Sequence, residues 1–210
     1  MVHELKHLIA VGRRLALGKS AEESCIEEAS AMAAQQLAGL GTELRLVQPY
    51  ASGCLATPQA FRVVYPEPSS RQEERICTYG YNFLLVWRVA QLMGHDNFWR
   101  SWLDGPSTGI SNVEAHTGIP FAELMMDWAA TLRLDHANAI AGYDYDTFNL
   151  RDGTWQALGT SPLESGVSGT ARSMAYFTGR GLGGDARITL SVTNGALPHA
   201  VVLRLPAVLP

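Results

Sequence analysis

The chain has 210 residues, 47% of them hydrophobic and 17% charged, which is enough apolar content to bury a core in one large or two small domains. A formal net charge of −4 with no basic run argues against a nucleic-acid surface. No apolar stretch approaches the roughly 18 residues that a membrane-spanning helix needs.

The first element is a helix carrying His3-Glu4-Leu5-Lys6-His7, the H-E-x-x-H pattern of zinc-dependent hydrolases. Residues i and i+4 of a helix share one face, so His3 and His7 can both offer a ring nitrogen to one metal ion. Glu4 projects beside them, where a carboxylate can take a proton from a zinc-activated water as it attacks a peptide carbonyl. Leu5, Leu8, Ile9, Gly12, Leu15 and Ala16 follow helical spacing and form one apolar stripe. The two histidines point almost the opposite way, so they are not core residues of that stripe.

A second helix is expected over Ala21 to Leu37, a run of strong helix formers ended by Gly39. It carries Glu22, Glu23, Glu27 and Glu28. Glu22 and Glu23 read as solvated first-turn acids favoured by the helix dipole.

From Leu44 to Arg75 the sequence contains Pro49, Gly53, Pro58, Pro66 and Pro68 and reads as a long irregular connection with one short strand at Phe61 to Val64. Ile76 to Met93 is a strongly apolar helix stopped by Gly94, and Asn97 to Leu103 is a short aromatic one whose Trp99 and Trp102 are core residues. Pro120 at the first turn and the spacing of Phe121, Leu124, Met125, Trp128 and Leu132 predict an amphipathic helix.

Beyond Arg151 the composition changes to glycine-rich, with no lysine and a single glutamate. Ser173 to Thr178, Ala186 to Val192 and His199 to Leu205 read as short strands between glycine turns. The fold class expected is therefore α+β: a mainly helical part over residues 1–150 and a β-rich accessory module over 151–210.

The pattern of two histidines on one helix and a glutamate on the next resembles the gluzincin metallopeptidases. Their third ligand lies in a segment similar to Ile26-Glu27-Glu28-Ala29, and the resemblance carries that role to Glu28, with Glu27 as the competitor. Three further stretches, Tyr79-Gly80-Tyr81-Asn82-Phe83-Leu84, Gly109 to Glu114 and Pro120 to Trp128, look like the bacterial hyicolysin-type branch of that group. The resemblance spans roughly His3 to Arg151.

It implies a zinc endopeptidase acting on protein or peptide substrates: Zn2+ held by His3, His7 and Glu28, Glu4 as general base, and Tyr79 donating to the developing oxyanion, with Tyr81 as the alternative. His95 and His116 are further candidates, each beside a helix-ending glycine. Relatives often have Gly after the ligand glutamate, and some have an Asp four residues on that orients a histidine, where this chain has Ala29 and Met32.

In these folds a sheet precedes the zinc-binding helix, so the chain reads as N-terminally truncated. The resemblance implies a secreted or extracytoplasmic parent, although this chain shows no signal peptide. Cys25, Cys54 and Cys77 are odd in number, with no C-x-x-C; Cys54 can pair with Cys77, and Cys25 reads as a buried free thiol. The arginine excess over lysine, fourteen to two, fits a GC-rich bacterial source. The alternative function is a catalytically inactive remnant whose β-rich part binds a protein or glycan.

Overall fold

A computed structural model describes residues 1–39, 53–64, 72–105, 107–162, 173–178 and 199–200, with the backbone alone for 72–78. Within these residues the protein is mainly helical, with one small two-stranded sheet. None of the described helices is long and apolar enough to cross a membrane. The helices are α1 (Val2–Ala16), α2 (Ser24–Leu37), α3 (Gln72–Met93), α4 (His95–Ser101), α5 (Gly109–Thr117) and α6 (Phe121–Leu134).

Helix α3 is the axis of the fold. Every residue from Tyr81 to Ala90 is buried, because the helix is apolar on all sides and so must be surrounded. On one flank it meets α2, whose Ile26, Ala29 and Ala33 are fully buried. Helices α4 and α5 also pack on it. Arg88, itself buried, forms a two-pronged ion pair with Asp127 of α6 at 2.8 and 3.1 Å. That planar pairing fixes orientation as well as distance.

The aromatic side chains fill the space around this axis. Tyr81 meets Trp128 edge to face at 5.3 Å between ring centres, and Trp102 stacks on Phe98 at 4.7 Å. Trp128 Nε1 donates to Tyr145 Oη, which donates in turn to the Leu84 carbonyl. Beyond α6, the buried Asp135 accepts the backbone N–H groups of Tyr145 and Leu150 and so fastens the returning loop.

Helix α1 lies on α2 and on the 3-10 turn Trp102–Asp104, and its sidedness departs from the usual amphipathic arrangement. Lys6, Ala10 and Arg14 are buried, while Leu5, Leu8, Ile9, Val11 and Leu15 are exposed, Leu8 by 72% and Leu15 by 70%. The apolar stripe faces water and the polar stripe faces the protein. The reason is electrostatic: α2 and the segment before it present Glu22, Glu27 and Glu28, which Lys6, Arg14 and the histidines meet.

The expected strand at Phe61 to Val64 is not formed. Residues 58–60 make a 3-10 turn and 61–64 are bends and coil. The Val64 N–H is taken by the buried Asn82 side chain at 3.1 Å, and Val64 sits at φ 55, a conformation a β-branched residue adopts only when its surroundings impose it. Helix α4 starts at His95, with Gly94 as its N-cap at φ 78, two residues earlier than the sequence suggested.

Past residue 150 the described structure is sparse. Ser161–Pro162 and Phe177–Thr178 pair in parallel as β1 and β2, Ser161 opposite Phe177. Trp155, Met174 and Tyr176 pack into or against the same hydrophobic cluster as α3 and α6. The expected strand over Ala186 to Val192, and His199 to Leu205 beyond residue 200, lie outside the described residues. Cys25 is buried and outside any disulfide, and Cys54 is disulfide-bonded; the Cys77 side chain lies outside the described residues.

Candidate metal centre

The i, i+4 spacing on α1 brings the two imidazoles together edge to face, with ring centres 4.7 Å apart. His3 Nε2 and His7 Nε2 face each other at 3.1 Å. Helix α2 crosses this face and supplies the third group: Glu28 Oε2 lies 3.1 Å from His3 Nε2 and 3.5 Å from His7 Nε2. Each of the three side chains is 22 to 26% exposed, so the cluster is partly shielded yet open to solvent.

These three atoms fit a tetrahedral zinc site. Zinc bonds of about 2.0–2.1 Å at tetrahedral angles separate ligand atoms by roughly 3.3 Å, and the observed edges of 3.1, 3.1 and 3.5 Å bracket that value. Two neutral imidazoles and a carboxylate form a donor set that zinc commonly takes, with one position left for water.

The neighbouring glutamate takes a different place. Glu27 Oε1 lies 2.9 Å from His7 Nδ1, on the far side of the ring from the cluster. Its Oε2 accepts from Lys6 Nζ at 2.6 Å, and its backbone carbonyl accepts from the same amine at 3.2 Å. Burial lowers the Lys6 pKa, against the upward pull of Glu27. Glu27 and Glu28 are successive residues about 100° apart on the helix. The line of contact with α1 runs between them, one carboxylate to each side of His7.

Glu4 is exposed on the turn that carries His3. Tyr79 lies in the first half of α3, half-buried and packed against the core, not at the helix start. Tyr81 is fully buried with its hydroxyl unpartnered, and burial pushes its pKa well up; it is a core side chain. His95 opens α4 rather than ending a helix and pairs with Asp146 at 2.7 Å. His116 lies in the last turn of α5, ahead of the left-handed Gly118 cap, with its ring over Trp102.

Glu22 is not the solvated acid that its position in the sequence suggested. Its side chain is 3% exposed. Oε1 accepts the Gly109 N–H at the start of α5, and Oε2 accepts Asn112 Nδ2 at 2.8 Å. Arg14 of α1 joins this buried polar network and donates to the Ser20 and Ser107 carbonyls. The far end of α1 is thereby anchored, which fixes the angle at which its histidine end meets α2.

Asp135, His136 and Asp144 form another group of possible metal ligands. There the Asp135 oxygens are already occupied by backbone N–H groups and by His136 Nδ1, and Asp144 accepts the His136 N–H. That group fastens a loop.

Lys6 and Glu27 are the site residues that the sequence reading did not assign a supporting role. A signal was present: His3, Lys6, His7, Ala10 and Arg14 fall at i, i+3, i+4, i+7 and i+11, a helical stripe as regular as the apolar one. Scans against protein-family models, curated proteins and solved structures find no match to this chain.

Proposed function

We propose that the chain carries the metal centre of a gluzincin-like zinc endopeptidase, with His3, His7 and Glu28 as the protein ligands. The observation that carries this reading is the convergence of those three side chains at separations suited to zinc. Zinc bound there supplies Lewis acidity and a water whose pKa falls to about 7.

The chain's own groups do the rest. The Glu4 carboxylate accepts a proton as water adds to the peptide carbonyl and returns it to the leaving amine. The resemblance assigns Tyr79 Oη, a hydrogen-bond donor at neutral pH, the role of donating to the carbonyl oxygen as negative charge develops there. The disulfide at Cys54 supports an extracytoplasmic parent, since such bonds persist in oxidising compartments.

The test is zinc-loaded protein assayed on casein or a peptide library, beside Glu4→Gln with its zinc content measured. Hydrolysis by the parent sequence, and its loss in Glu4→Gln with zinc retained, is the expected result. Zinc binding with no hydrolysis of any peptide would leave a metal-binding but inactive module, and activity unchanged in Glu4→Gln would remove the mechanism.

A further inference from the structure

Neutral imidazole has one N–H and one lone pair, and whatever binds one nitrogen decides which of the two the other presents. Glu27 is a carboxylate, an acceptor only when ionised, and it faces His7 Nδ1 at 2.9 Å. An ionised carboxylate at that position places the proton of a neutral ring on His7 Nδ1 and leaves the Nε2 lone pair facing His3 and Glu28. A free imidazole prefers the opposite arrangement, with the proton on Nε2, which would point an N–H at an incoming cation.

Glu27 is itself held. Lys6 Nζ grips both its Oε2 and its backbone carbonyl, and the Lys6 and Glu27 side chains are 8% and 15% exposed. Ser30 Oγ donates to the same Glu27 carbonyl at 2.9 Å. A carboxylate so restrained has few other orientations open to it, and the ring it contacts shares that restraint. Lys6 lies between the two histidines in sequence, so one stretch of α1 supplies both the ring to be oriented and the cation that fixes the group orienting it.

We propose that Glu27, clamped by Lys6, is the positioning residue of the metal centre: it fixes the tautomer and ring plane of His7 so that Nε2 is ready to bind a divalent metal. This rests on the metal-site reading above. It assigns to the residue just before the ligand glutamate the orienting role for which Met32 has no suitable group. Carboxylates behind metal-bound histidines change affinity by about 10- to 100-fold when removed.

The experiment separates this role from packing and from metal binding itself. Long-range 1H–15N spectra of the metal-free protein above neutral pH report the His7 tautomer, and zinc titration reports affinity. Glu27→Ala and the paired variant Lys6→Met with Glu27→Met are compared with the parent sequence. The pair replaces both buried partners with apolar groups of similar shape and avoids stranding the lysine.

The expected result is the Nδ1–H form of His7 in the parent, the Nε2–H form in both variants lacking Glu27, and zinc affinity lower by about 10- to 100-fold in those two. An unchanged His7 tautomer, or unchanged zinc affinity, in the folded paired variant overturns the proposal. A parent that binds no zinc yet shows the tautomer change would remove the metal reading while leaving the orientation by Glu27 intact.

Discussion

His3 Nε2 and His7 Nε2 stand 3.1 Å apart with Glu28 Oε2 completing the triangle at 3.1 and 3.5 Å. Two nitrogens presented to each other at this distance, beside a carboxylate, are more than a helix surface needs. The rest of the described fold bears on whether that triangle holds its shape, and four consequences are measurable.

The buried carboxylate of Glu22 joins the start of α5 to the region around Arg14. In Glu22→Ala the Gly109 N–H and Asn112 Nδ2 lose their partner, and Arg14 loses its nearby counter-charge. Stranded buried polar groups cost about 1–3 kcal/mol each, so urea unfolding should show a loss of about 3 kcal/mol, with zinc affinity falling less than in Glu28→Ala. Unaltered stability would show that the network is solvated.

Gly105 is buried, and a Cβ built on it would overlap Asn112 Oδ1 and come within 2.7 Å of His116 Nε2. Asn112 is fully buried and already bonded to Glu22, so it cannot swing clear without breaking that bond. Gly105→Ala should therefore destabilise the protein by about 1–3 kcal/mol. A thermal midpoint equal to that of the parent would contradict the packing described around α5.

Burial lowers the pKa of His116, against upward pulls from the Trp102 backbone, Glu22 and Asp104. The folded protein thus binds this proton less readily than the unfolded chain, where the value is near 6.5. The stability associated with neutral His116 is complete above that unfolded value and is lost as the pH falls toward the folded one. His116→Asn should flatten the fall in unfolding free energy on mild acidification below about pH 6.5. The same slope in the variant would assign that proton elsewhere.

Leu5, Leu8, Ile9, Val11 and Leu15 leave one side of α1 apolar and open to water. A contiguous patch of this kind promotes association. The isolated chain should self-associate in sedimentation experiments, and Leu8→Lys with Ile9→Lys should shift it toward monomer while zinc binding persists. A parent that sediments as monomer at high concentration would show the stripe to be covered.

The sequence made some of this structure legible and concealed the rest for physical reasons. Helices α3 and α6 were readable because long apolar runs with proline or glycine at their ends leave few alternatives. Helix α1 was readable as a helix, but its inward face was not, because that depends on charges carried by α2. The same dependence hid Glu22: an acid beside a helix start is ordinarily solvated, and only the approach of α5 and Arg14 buries it. Glu27 and Glu28 were inseparable on a helical wheel because the contact with α1 falls between them. Phe61 to Val64 has strand-like residues, but a strand needs a partner, and Asn82 takes the Val64 N–H instead.

The most direct test of the metal centre is calorimetric titration of metal-free protein with zinc, for the parent sequence and for His7→Ala and Glu28→Ala, each verified as folded. The parent should bind about one zinc per chain, with a large loss of affinity in both variants. No zinc bound by the folded parent, or equal binding in all three proteins, would contradict it.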